Sequence, residues 1–163
     1  MFLLDAMATV KEMAEVYRLG VLTGFFEVVD VVAWADSVIE TEDHPDYGLI
    51  EASLSKRPED ISVHLKEVKG NIDYTLPPKI LMGLMSKQLD RSPDKAFTFA
   101  RLLYSLAVGS ELPQKEAEAA DRFDDALYLA ESGTYGSVEE VCGQLAEFLK
   151  RYEPYANGVT HET

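Results

Sequence analysis

Cysteine is almost missing from this chain: Cys142 stands alone among 163 residues. That excludes an intramolecular disulfide and suits a reducing compartment. Histidine is scarce as well, with only His44, His64 and His161. Chemistry built on imidazole therefore has few places to start. Positive charge is also short, at 15 Lys and Arg against 29 Asp and Glu, a formal net charge of -14. Affinity for a phosphate backbone rests on clustered Lys and Arg. The one cluster, Lys56, Arg57, Lys66, Lys69 and Lys79, is mild and lies between acidic segments. Nucleic acid is not an expected partner.

Long apolar runs are lacking too. The most apolar stretch, residues 19–39, is interrupted by Glu27, Asp30 and Asp36. A carboxylate at a bilayer centre costs about 2.5–3.5 kcal/mol on insertion scales. No transmembrane span and no membrane partner are expected. The opening MFLLDAMATVKEM carries Asp5 early and has no basic residue ahead of its apolar stretch. It does not resemble an export signal, so the expected location is the cytoplasm. The glycines form neither a phosphate-binding loop nor a dinucleotide fingerprint, and no Gly-x-Ser-x-Gly occurs. No cofactor is expected. Sustained apolar–polar alternation, the mark of strands, is missing throughout.

What is present is a substantial apolar fraction, 47%, which is ordinary for a folded core and too high for a disordered acidic tail. The length suits one helical domain over 1–155, with 156–163 as a flexible C-terminal tail. Periodicity predicts an all-α fold of about eight helices, in an irregular orthogonal bundle or a short stack of helical hairpins.

The first helix is expected over 3–19, with Leu3, Ala6, Val10, Met13 and Tyr17 on one face and Gly20 as its stop. The second is expected over 25–40, with Thr23 as N-cap and a wide apolar arc around Trp34 that would make it central. A short helix over 46–54 follows, then 58–69, with Ile61, His64, Leu65 and Val68 inward. The loop NIDYTLPP leads to a helix over 78–90. Ser92-Pro93 starts the next, running to Val108, with Phe97, Ala100, Leu103, Tyr104 and Ala107 as its apolar face. A helix over 113–131 turns Ala120, Phe123, Leu127 and Ala130 inward and Glu118, Asp121 and Asp125 outward. The last helix opens on a capping box, Ser137 with Glu140, and ends before Pro154.

Charge is laid out unevenly along this helical body. Residues 1–48 carry a net -8, residues 49–105 a net +2, and residues 106–163 a net -8. Such a field attracts basic partners and repels polyanions. Tyrosines gather at loops and helix ends, among them Tyr47, Tyr74, Tyr128 and Tyr135. They supply large contact area at low entropic cost. The candidate binding residues are therefore Tyr47, Glu118, Asp121, Asp125, Tyr128 and Tyr135. They suit a non-enzymatic module that binds a basic protein, in the manner of an immunity or antitoxin-type inhibitor.

Two other readings stand beside it. His64 lies four residues after Asp60, and His44 four after Glu40. These pairs could serve an acid–base or metal-dependent enzyme. No catalytic or metal-ligating set is assigned, because no second pair of ligands lies within local reach of His44, and His64 reads as a partly buried histidine with a local salt bridge to Asp60. Alternatively, an apolar face could pair with its symmetry mate in a homodimer. Cys142 falls on the apolar stripe of the last helix beside Glu139, Glu140 and Glu147, so it reads as core rather than as a reactive thiol.

Overall fold

A computed structural model describes residues 8–157 and 159. Among them are eight α-helices, two short 3₁₀ turns and no strand. The all-helical expectation holds. The chain gathers into two compact units, residues 1–77 and 78–163.

Unit 1 is built around α1, Val10–Thr23. α1 starts at Val10, not at residue 3, because Thr9 is extended and caps it. The Thr9 hydroxyl accepts from Glu12 N at 3.0 Å, and Glu12 Oε1 accepts from Thr9 N at 2.9 Å. This reciprocal box satisfies two helix-end donors. Leu3 and Ala6 lie outside the described residues. Gly20 does not stop the helix. It lies within it, where a Cβ would meet the Phe26 ring at 2.1 Å. α1 ends instead at Gly24, whose φ of 88° suits a residue without a side chain. Thr23 is no N-cap. Its hydroxyl donates back to Leu19 O at 2.9 Å within α1.

α2 spans Val28–Thr41, with Glu27 as N-cap and Asp30 Oδ2 accepting from Glu27 N at 2.8 Å. α2 is not the central helix. Only Val31 and Ala35 are fully buried, and Val29 is 66% exposed. The ring of Trp34 stacks on Tyr17, and Tyr17 stacks on Phe26, each pair at 4.6 Å. α3 (Tyr47–Ser53) and α4 (Pro58–Lys66) complete the unit. Asp46 caps α3 through Gly48 N at 2.8 Å and also accepts from Lys69 N at 3.2 Å, which ties the start of α3 to the segment after α4. α4 packs on both α1 and α3.

The interior of unit 1 contains charge as well as hydrocarbon. Lys11, Glu12 and Glu15 of α1 are buried. Each has a partner. Lys11 Nζ donates to Lys66 O at 2.7 Å, Glu12 Oε2 accepts from Asp73 N at 2.8 Å, and both carboxylate oxygens of Glu15 hold Arg18. Buried charge is costly unless paired in this way. Burial is the larger influence on Lys11 and lowers its pKa, against the raising effect of Glu15.

In unit 2 the helices are α5 (Leu76–Arg91, beginning two residues before the unit does), α6 (Ala96–Gly109), α7 (Gln114–Glu131) and α8 (Val138–Lys150). α5 opens earlier than expected and takes Pro77 and Pro78 into its first turn, where their missing N–H groups have no intrahelical partner to lose. Leu81, Met82, Gly83, Leu84, Met85 and Ser86 are buried in succession, so α5 is enclosed on every side. Its close approach to the C-terminal turn depends on Gly83, whose Cβ would meet Tyr152 O at 2.4 Å. Ser86 Oγ adds a 2.9 Å hydrogen bond to Glu153 there.

A 3₁₀ turn over Pro93–Lys95 precedes α6, so the helix proper begins later than the Ser92-Pro93 signal implies. α6, α7 and α8 contact one another, with Leu103, Leu106, Leu127, Leu145 and Leu149 among their buried side chains. Ser137 caps α8 through Glu140 N. The apolar face of α6 differs from expectation. Ala96, Phe99, Ala100, Leu103 and Leu106 are buried, whereas Phe97 and Tyr104 point to solvent, at 38% and 41% exposure.

Candidate functional site

Glu118, Asp121, Asp125 and Tyr128 recur at three and four residues along α7, which places them on one ridge. All four are exposed as expected, Tyr128 by 72%. One groove flanks the C-terminal half of α7 and another its N-terminal half. The larger, of about 510 Å³, lies between α6 and α7. Asp124, Asp125, Tyr128 and Glu131 of α7 line it opposite Phe97 and Arg101 of α6. The smaller, of about 280 Å³, lies between α7 and α8 and contains Lys115, Arg122 and Arg151 with Glu118 and Glu147.

The two grooves differ in sign. Three carboxylates face one guanidinium in the larger, and three cations face two carboxylates in the smaller. The expected acidic stripe is therefore divided. Asp125 and Tyr128 belong to the anionic groove, Glu118 belongs to the cationic one and accepts from Gln114 Nε2 at 2.8 Å, and Asp121 lines neither. Tyr135 stands in the turn after α7, 79% exposed, between Gly133 and Gly136 with positive φ. Tyr47 belongs to α3 in unit 1, exposed beside Glu51, whose carboxylate takes a hydrogen bond from the phenol and raises its pKa.

Among the described residues, Asp124, Asp125 and Glu131 form no ion pair. Their charge is not spent on the protein's own bases. Sequence reasoning missed Phe97, Arg101, Asp124 and Glu131 as site residues. The available signal was α6 itself, which carries apolar residues on two faces where a core helix needs one.

His44 and His64 both belong to unit 1. Asp60 Oδ2 accepts from Arg57 Nε at 3.2 Å, and among the described residues no hydrogen bond joins Asp60 to His64. His64 is half-buried on α4, and His44 is exposed before α3. His161 lies outside the described residues. Among those described, no group of three or more His, Cys, Asp or Glu is placed to hold a metal ion, and no helix is long and apolar enough to cross a membrane. Cys142 is half-buried, and burial raises its thiol pKa.

In comparisons with known proteins, no family model, no curated protein and no solved structure matches this chain.

Proposed function

We propose that this chain is a non-enzymatic protein-binding module, acting in the cytoplasm, that presents an acidic, tyrosine-bearing surface to a basic protein. In its concrete form it is an immunity or antitoxin-type inhibitor, which would occlude the substrate groove of a cationic nuclease by offering negative charge in place of phosphate. The observation that carries this reading is the α6–α7 groove, where three carboxylates that form no ion pair among the described residues stand beside the exposed Tyr128. Carboxylates that already balanced internal bases would have little attraction to offer; these keep theirs for a partner.

The test is retention of basic proteins from a lysate by the immobilised chain at low and high salt. Retention at low salt, weakened by high salt and by Asp124→Asn with Asp125→Asn and Glu131→Gln, supports the proposal. If nothing basic is retained even at low ionic strength, it fails.

A homodimer is a second reading, and α2 favours it. Its sequence is rich in valine, yet it exposes Val29 and Ala33. Sedimentation velocity on the wild type and on Val29→Asp decides this, since a dimer built on that face would dissociate in the variant.

A further inference from the structure

The outward face of α6 is a second apolar stripe. Phe97, Tyr104 and Val108 recur at seven and four residues, and all three are exposed, Val108 by 72%. Arg101 lies on the same face. The stripe spans three helical turns, about 16 Å at 1.5 Å per residue. At one end it enters the anionic groove, because Phe97 and Arg101 line that groove opposite Asp124, Asp125 and Glu131. There Phe97 stands opposite negative charge, and Tyr104 and Val108 continue the stripe along α6 beyond the groove's lining. Among the described residues no strand offers an edge to an extended peptide. A trough between two helices accepts another helix, whose ridges seat in the valley they leave.

We propose that this trough takes a basic amphipathic α-helix of the partner, with its aliphatic side on Phe97, Tyr104 and Val108 and its Lys and Arg side on Asp124, Asp125 and Glu131. The inference rests on the binding-protein reading above and narrows its partner. Charge complementarity chooses the occupant: an acidic or neutral helix would leave three carboxylates facing apolar surface, whereas a basic one pairs them. Arg101, which forms no ion pair among the described residues, calls for one carboxylate in the incoming helix and thereby sets its register.

The test uses two labelled synthetic peptides of identical composition, Leu and Lys with one Glu, each about five helical turns long. One places its leucines on a single helical face; the other is scrambled so that no face forms. Fluorescence anisotropy is read at about 0.05 M NaCl, where exposed charges are weakly screened. The amphipathic peptide is expected to bind about ten-fold more tightly than the scrambled one. Tyr104→Ser should remove most of that preference. Asp124→Asn with Asp125→Asn and Glu131→Gln should weaken binding about ten-fold. Asp36→Asn with Glu40→Gln and Glu67→Gln, which removes equal charge from exposed positions in unit 1, should change it less than about two-fold. Circular dichroism confirms that each variant is folded.

Equal binding of the two peptides, or equal losses in the two triple variants, overturns the helix-docking proposal. If basic proteins are nonetheless retained from the lysate and lost by the groove variant, the binding-protein reading survives without it. If nothing basic is retained and neither peptide binds, both fall.

Discussion

Gly83 and Tyr17 each show how a single side chain is constrained by what surrounds it. A methyl at Gly83 would press on the backbone carbonyl of Tyr152, an atom that cannot swing aside as a side-chain tip can. Gly83→Ala is expected to destabilise the protein by about 1–3 kcal/mol, read as a lower urea midpoint with unchanged slope. Tyr17 is enclosed between the rings of Phe26 and Trp34. Burial, aided by Asp30, pushes its phenol up to about 12. In the unfolded chain that phenol ionises near 10. Its contribution to stability is therefore intact below pH 10 and is lost as pH rises toward 12. Absorbance near 295 nm should show a tyrosine that ionises late and is missing from Tyr17→Phe. Residue-level detail of this kind was barely legible in the sequence. Periodicity placed Tyr17 on an inner face, but it could not foresee that Lys11, Glu12 and Glu15 are buried as well. Glu15 is paired locally by Arg18, but the burial of Lys11 and Glu12 relies on partners distant in sequence, Lys66 and Asp73.

Helices were far more legible than their ends or their inner faces. α8 matched closely because it has one apolar stripe and a clear N-cap in Ser137, whereas α4 began where expected but ends at Lys66, three residues short of 69. α2 and α6 were misjudged because both carry apolar residues around more than half their circumference. A pattern with two candidate faces does not say which one meets the core. In α6 the choice fell on Phe99, Leu103 and Leu106, which leaves Phe97 and Tyr104 outside. The start of α1 was misplaced because apolar residues before Thr9 continue the helical spacing, while the capping box fixes the boundary at Val10. That box gives an element-scale prediction. Thr9→Ala should cost about 1 kcal/mol through the lost cap. Glu12→Ala should cost more, about 2 kcal/mol, because it removes a carboxylate that accepts from the backbone N–H groups of both Thr9 and Asp73. Thermal or urea unfolding of the two variants checks the order.

Over the whole molecule the dominant property is the net charge of -14. It was fully legible in the sequence, and so was its partition into acidic ends and a balanced middle. Where charge would be usable was not legible. That depends on which carboxylates lack internal partners, and on α6 turning an aromatic stripe outward beside them. A diffuse field predicts that any three exposed carboxylates matter equally. A built groove predicts that position matters. Association with a basic partner should in either case slow as ionic strength rises, because long-range attraction is screened beyond about 10 Å at 0.1 M salt. Stopped-flow measurements across a salt series would show this as a falling on-rate.

The most direct measurement compares two triple variants for retention of basic protein at low salt. Asp124→Asn, Asp125→Asn and Glu131→Gln empty the groove of carboxylates; Asp36→Asn, Glu40→Gln and Glu67→Gln remove the same charge elsewhere. The account predicts that the first loses its bound protein while the second keeps it. Equal retention by both, or no basic protein held by the wild type, would contradict it.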